Sequence, residues 1–179
     1  MMMNGRVMLT GAVLALAGAV AMAQGGARAH ADLKGDGITG KVALVERKQG
    51  TGVIVDITVS ASGLKPGLHG VHLHAVGKCE PDFAAAGGHF DPGPAGNTDP
   101  DANHPFHMGD IPNLEVGLDG KGTLKAATTR VTVSAGPLSI FDADGTAFII
   151  HANEDKGITG ETKSGVSGGP RIACGVFTK

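Results

Sequence analysis

Seven of the chain's eight histidines fall into a series spaced like metal ligands. His69, His72, His74, His89, His104 and His107 share one window, Asp110 follows at once, and His151 stands apart. Neutral imidazole is the commonest metal-binding side chain, and several imidazoles with one carboxylate suit copper or zinc. In His72-x-His74, alternate residues of a strand point to one face, so two imidazoles converge from a rigid element. His151 closes another apolar run and could add a third nitrogen. His89, behind Gly87-Gly88, adds a fourth from a loop. Four imidazoles in a distorted plane suit Cu(II). His104, His107 and Asp110 form a second set, and histidine with carboxylate is ordinary zinc chemistry. Taken singly, a strand histidine such as His151 is more often structural than ligating; the conjunction of pieces carries the inference. Strict alternation puts His69 with neither pair, so a structural hydrogen bond is expected for it. His30 is expected in a flexible N-terminal tail.

The elements that must position these side chains read as strands. Ile38–Val45 and Val53–Ser60 are rich in Val, Ile and Thr and are separated by Gly50-Thr51-Gly52. Leu68–His74 alternates in the same way. Leu114–Leu118 and Thr123–Val133 flank the turn Asp119-Gly120-Lys121-Gly122, a hairpin signal. Thr146–His151 and Arg171–Phe177 supply two more short runs. Regularly spaced strands with Gly-rich turns predict an all-β antiparallel sandwich or small barrel. Two segments, Ala75 to Asn113 and Ala152 to Pro170, are long and rich in Gly, Pro and Asp. Loops of such length in a compact domain are usually functional or disordered, and these carry or flank the histidines.

With 179 residues the chain suits one domain. Its start reads as a secretory signal over residues 1–23: Arg6 in a short basic region, an apolar run Val7 to Val20, and Ala21-Met22-Ala23 before Gln24. A second A-x-A, Ala27-Arg28-Ala29, could move the cut to His30. The apolar run is shorter than the roughly 20 residues a spanning helix needs, so no stable membrane insertion is expected after cleavage. The domain then covers 24–179. Removing residues 1–23 takes away one basic residue, Arg6, and no acidic one, so the net charge is 14 minus 17, or −3. Bulk attraction of nucleic acid is excluded, and without Trp or Tyr there is no stacking platform for single strands. Cys79 and Cys174 are the only cysteines, and in an oxidising compartment their pairing is the default. Such a bridge closes a loop of about 100 residues, for which the chain-entropy account gives roughly 4 to 5 kcal/mol. Zinc ligation by the cysteines is the other reading, weakened by the lack of C-x-x-C spacing.

Five segments occur in an order that is itself informative: GLHGVHLHAVGKC (Gly67–Cys79), AAGGHFDP (Ala85–Pro92), HMGD (His107–Asp110), IIHANED (Ile149–Asp155) and GGPRIACGVF (Gly168–Phe177). Together they resemble the copper/zinc superoxide dismutases, the exported bacterial members in particular, from about Leu33 to Val176. The resemblance implies an eight-stranded antiparallel Greek-key β-barrel with two long functional loops. It implies copper on His72, His74, His89 and His151, and zinc on His89, His107 and Asp110, with His89 bridging the two. It implies a Cys79–Cys174 disulfide, Arg171 beside copper as the guide for superoxide, and Asp155 as the carboxylate linking one copper and one zinc histidine.

One departure stands out. The family usually has its third zinc histidine shortly after the bridging one, around Asn97 here, but no histidine occurs between His89 and His104. His104 is the natural substitute. The implied activity is dismutation of superoxide to dioxygen and hydrogen peroxide, in the periplasm, with no nucleic-acid partner. Family members differ in assembly, a homodimer being one form. An exported metal-storage protein without turnover and a zinc-poor dismutase are the competing readings.

Overall fold

Strict alternation of buried and exposed residues runs through the first three strands. β1 (Arg28–Gly35) buries Ala29, Ala31 and Leu33, and β2 (Ile38–Gln49) buries Val42, Leu44 and Glu46. β3 (Gly52–Ser62) buries Val55, Ile57, Val59 and Ala61. A period of two gives each strand one apolar face, and closing the sheet on itself is one way to bury that face. The computed structural model, which describes residues 26–93 and 96–179, does this by closing eight antiparallel strands into a barrel. The signal segment expected at 1–23 lies outside the described residues.

The remaining strands are β4 (Gly67–His74), β5 (Asp110–Val116), β6 (Lys121–Thr128), β7 (Ala147–His151) and β8 (Arg171–Val176). Around the barrel the order is β1-β2-β3-β6-β5-β4-β7-β8, and β8 returns to β1 through Lys34↔Cys174 and Gly35↔Ala173. β3 thus neighbours β6 rather than β4, and β4 neighbours β7, which is the Greek-key crossover. Leu33, Leu44, Ile57, Leu114, Phe148 and Ile150 fill the interior, each fully buried apolar side chain contributing about 1.5–3 kcal/mol. Among the described residues the only helical element is the 3-10 turn Phe83–Ala86, and no helix is long and apolar enough to cross a membrane.

β4 and β7 are buried on both faces. Val71, Leu73, Phe148 and Ile150 point into the barrel. Their alternating neighbours point outward, where Ala147 and Ile149 pack with Ala86 and Cys174 in a second cluster. His72, His74 and His151 share this outer side by the same alternation. What covers it is the β4–β5 connection, residues 75–109, and the β7–β8 connection, residues 152–170. The Cys79–Cys174 disulfide ties the first connection to β8, with Cα atoms 5.8 Å apart, so neither cysteine is free for metal.

Three sequence expectations change. β1 carried too weak a signal, because RAHADLKG alternates mostly small residues where Val, Ile and Thr mark strands. His30 accordingly lies in β1 rather than in a flexible tail, paired with Ala43 and exchanging 2.8 Å backbone bonds with Thr178. The run expected over Thr123–Val133 ends at Thr128, after which the chain turns in to bury Val131, Val133 and Ile140. The run expected over Leu114–Leu118 instead begins at Asp110, which puts a candidate ligand on a strand.

The inward turn after β6 is held by a buried carboxylate. Glu46 accepts from the backbone N–H of Val133 (2.7 Å) and Ser134 (3.0 Å) and from Ser134 Oγ (2.7 Å). Burial opposes its charge, but these hydrogen bonds outweigh it and lower its pKa below the ordinary 4.5. A group depressed on folding contributes stability that is present above its unfolded pKa and lost as pH falls through the folded one. Glu46→Gln should therefore cost about 1–3 kcal/mol at neutral pH. Urea unfolding should show that gap narrowing as pH falls below the ordinary carboxylate range; a gap that stays constant would mean the carboxylate's charge is not what holds the turn.

Candidate metal centre

The outer face of the barrel wall receives six imidazoles and two carboxylates, all buried. β4 supplies His72 and His74, and β7 supplies His151. Register breaks beside Gly70 in β4 and at His151 in β7 bend the strands where they meet the site, as bulges next to functional sites do. The loop is stitched onto the end of β4: Ala75 N–H donates to Gly88 O (2.9 Å) and Phe90 N–H to Leu73 O (2.9 Å). This sets His89 opposite His74. The stitching needs glycine at 88, where a Cβ would fall 1.7 Å from Thr98 O.

Each ring is oriented by its second nitrogen. His74 Nδ1 donates to Gly87 O (3.0 Å), His151 Nδ1 to Gly169 O (2.8 Å), and His72 Nε2 to Asp155 Oδ2 (2.9 Å). His89 Nδ1 faces Asp110 Oδ1 at 2.7 Å. Because carbonyl and carboxylate oxygens accept, these contacts fix the tautomer and leave the opposite nitrogen with its lone pair. The freed atoms, His72 Nδ1, His74 Nε2, His89 Nε2 and His151 Nε2, are buried without any hydrogen-bond partner. Four orphaned acceptors at one place would be costly as mere packing. The ligand atoms of these four residues all lie within 4.8 Å of one another. Such a set of neutral imidazoles fits a copper ion. Burial holds His72 and His74 well below the ordinary imidazole value and lowers His89, and it brings His151 down to about 4. All four are thus in the ligating form near neutral pH.

The second cluster is centred on carboxylate. Ligand atoms of His72, His89, His104 and Asp110 also lie within 4.8 Å of one another. His107 stands outside that group, yet its Nδ1 reaches Asp110 Oδ2 at 3.0 Å, and its Nε2 is a further orphan. His104 Nδ1 lies 3.3 Å from the same oxygen, and its Nε2 is 2.7 Å from Asp155 Oδ1. Asp155 thus spans His72 and His104. Burial alone would lower His104, but Asp110 and Asp155 raise it to about 9. Both carboxylates lie far below their ordinary value; burial opposes this, and their histidine hydrogen bonds outweigh it. A divalent ion held here would compete with a proton for His104. The donor set, imidazole with one aspartate, fits zinc.

Arg171, half-buried at the start of β8, donates to Phe83 O (2.7 Å) and Gly87 O (2.5 Å). Gly87 O also receives His74 Nδ1, so one carbonyl holds both the guanidinium and a ring of the first cluster. Arg171 and His151 line one open depression with Lys156 and Lys163. His69 takes the structural role expected of it, with Nδ1 on His151 O (2.7 Å) and Nε2 on Lys65 O (2.8 Å).

Sequence reading overlooked three residues. Arg130, just past β6, donates to the carbonyls of His107 (2.9 Å) and Asp110 (2.5 Å). Asn113 exchanges two bonds with the Asp155 backbone, at 2.8 and 2.9 Å. Asp101 joins the two long connections. For Arg130 and Asn113 the sequence signal is a lone cation or amide at an apolar strand pattern, and for Asp101 one acid among several in a polar loop; none has a fixed spacing to the ligands.

The sequence pattern of the family Copper/zinc superoxide dismutase (SODC) matches residues 38–177. The superoxide dismutase [Cu-Zn] of Deinococcus radiodurans is 40% identical over 150 residues, covering 78% of this chain and 79% of its own. The superoxide dismutase-like protein YojM of Bacillus subtilis is 42% identical over 141 residues, covering 76% and 69%. The crystal structure of a SOD-like protein from Bacillus subtilis aligns with a TM-score of 0.66 at 35% identity, over 82% of this chain and 96% of that one.

Arg130 touches backbone beside two residues of the carboxylate-centred cluster, so its loss should loosen that cluster and spare the four-imidazole one. Arg130→Gln should weaken Co(II), used as a spectroscopic stand-in for zinc, by about 10-fold or more. Chelator competition should find Cu(II) affinity at the first cluster unchanged; equal weakening at both would point to general unfolding of the loop instead.

Proposed function

We propose that this protein, which belongs to the copper/zinc superoxide dismutase family, converts two superoxide anions and two protons to dioxygen and hydrogen peroxide. The observation that carries the reading is the convergence of four partnerless, neutral imidazole nitrogens beside a backbone-clamped arginine. His72, His74, His89 and His151 would hold copper. His89, His104, His107 and Asp110 would hold zinc, with His104 in the role that the family usually gives to an earlier residue. Bound copper supplies a one-electron couple, and zinc, which has no redox states, supplies fixed positive charge.

The chain's own groups account for the rest. Arg171 offers the remaining guanidinium N–H groups to a small anion, and its clamp on Phe83 O and Gly87 O keeps them aimed without reorganisation. The overall charge is negative, so attraction of superoxide must be local, and Lys156 and Lys163 line the same depression. His89 faces both clusters through its two nitrogens. With Nδ1 engaged on the Asp110 side, Nε2 can take a proton and hand it to the forming peroxide. Asp155 keeps His72 and His104 turned to their clusters during that cycle.

Export to the periplasm is part of the proposal. A cut after Ala23 would leave β1 whole, whereas a cut before His30 would remove Arg28 and the buried Ala29 from it. The competing reading, a metal-binding protein without turnover, draws on the superoxide dismutase-like relatives. Copper and zinc per chain, measured with superoxide turnover on one sample, separates the two. One of each metal with turnover near the diffusional ceiling is expected; bound metal without turnover would favour the binding protein. Arg171→Ala should slow turnover by about 10-fold or more and flatten its ionic-strength dependence, with copper content unchanged. An unaltered rate in pulse radiolysis would remove Arg171 from substrate guidance.

A further inference from the structure

The stretch before His104, residues 97–103, does more than carry the chain to that histidine. Asp101 is 5% exposed, and both its oxygens are used on the other long connection. Oδ2 accepts from Gly165 N–H (2.9 Å), and Oδ1 accepts from Ser167 N–H (3.1 Å) and Ser167 Oγ (2.9 Å). The Asp101 carbonyl in turn accepts from Gly160 N–H (2.9 Å). Around this buried clamp lie two outer ties, Thr162 Oγ1 to Asp99 Oδ2 (2.7 Å) and Thr159 Oγ1 to His104 O (2.6 Å).

What Asp101 grips is the approach to the substrate-facing arginine. Ser167 is followed by Gly168, whose carbonyl accepts from Asn153 N–H (3.0 Å). Gly169 O accepts from His151 Nδ1 (2.8 Å), Pro170 O accepts from Ala152 N–H (2.7 Å), and Arg171 comes next. On its own side Asp101 stands three residues before His104. A short hydrogen-bonded run thus leads from the carboxylate-centred cluster to both His151 and Arg171. Hydrogen bonds to a buried charged acceptor are among the stronger kind, and a contiguous packed run can carry coupling between two sites.

We propose that Asp101 is a positioning residue that couples occupancy of the His104 cluster to the anion affinity of the Arg171 side of the molecule. The proposal rests on the copper and zinc assignment above. Metal at His104 fixes the segment before it, Asp101 passes that order to Gly165–Ser167, and Arg171 and His151 become better set for an anion. Coupling of this kind is reciprocal, so an anion should also tighten zinc.

The probe is azide, titrated by visible absorption into copper-loaded protein with and without zinc. Zinc should tighten azide about 5-fold or more in the unaltered protein. Asp101→Asn keeps the shape but offers one acceptor oxygen and turns amide N–H groups towards a backbone donor. In that variant azide affinity should become the same with and without zinc, while the Cu(II) electron paramagnetic resonance spectrum keeps its four-nitrogen pattern. Ser167→Ala removes only the hydroxyl bond and should lose part of the zinc effect, which keeps the test decisive if the first variant folds poorly. Zinc-dependent azide affinity that persists undiminished in both variants, or that is absent from the unaltered protein, overturns the proposal. Failure of the dismutase reading is separate: a copper-loaded protein without superoxide turnover would still reveal or lack the azide coupling.

Discussion

Six buried imidazoles impose the condition that everything else meets. Each ring brings two polar nitrogens out of water, and an unpaired one costs on the order of 1–3 kcal/mol. The protein satisfies one nitrogen per ring in the four-imidazole cluster and leaves the other free at a common point. The cost of the free atoms is what makes the site receptive: a cation entering there restores the interactions lost on burial. That one requirement explains why the two longest connections lie over the barrel wall. Their carbonyls at Gly87 and Gly169 and their carboxylate at Asp155 are the partners the rings need.

The barrel contributes rigidity and separation of faces. Because β4 and β7 pack their inner side chains in a dry core, the outward residues cannot drift by more than the wall does. The alternation that puts Leu73 inside puts His72 and His74 outside, so one strand serves core and site together. Loop residues have no such wall and are instead pinned: by the disulfide near its start, by backbone pairing to β4 at Gly88 and Phe90, and by Arg130 near its end. The sharing of Gly87 O by His74 and Arg171 follows from this economy of anchors. It makes the arginine's place a property of the same loop turn that orients a ligand.

The strands and the clusters were legible in the sequence for one reason. Both depend on regular spacing, period two for the apolar faces and H-x-H for the paired rings, and regular spacing is a one-dimensional signal. β1 leaves little trace in the sequence because small residues alternate without a β-branched signature, and the strand pairing of His30 leaves none. The far end of β6 has no sequence marker, because apolar residues continue past Thr128 into a buried turn held by a glutamate from β2. Arg130, Asn113 and Asp101 were invisible for a different reason. Each acts on main-chain groups, and a main-chain partner leaves no residue type in the sequence to pair with.

His104 shows how much freedom such a site leaves to its loop. His104 joins the carboxylate-centred cluster because one of its nitrogens faces Asp110 and the other reaches Asp155. Neither condition refers to distance along the chain from His89. His104 meets both, at 3.3 and 2.7 Å, from a position much nearer His107 than His89. The carboxylates, fixed on β5 and beside β7, therefore define the cluster, and the loop is free to deliver an imidazole by any route that closes. The route taken here passes Asp99 and Asp101 beneath the second connection and exchanges four of its hydrogen bonds with that connection through Asp101 alone. The same segment therefore presents an imidazole to the two carboxylates and, three residues earlier, binds the two long connections to each other.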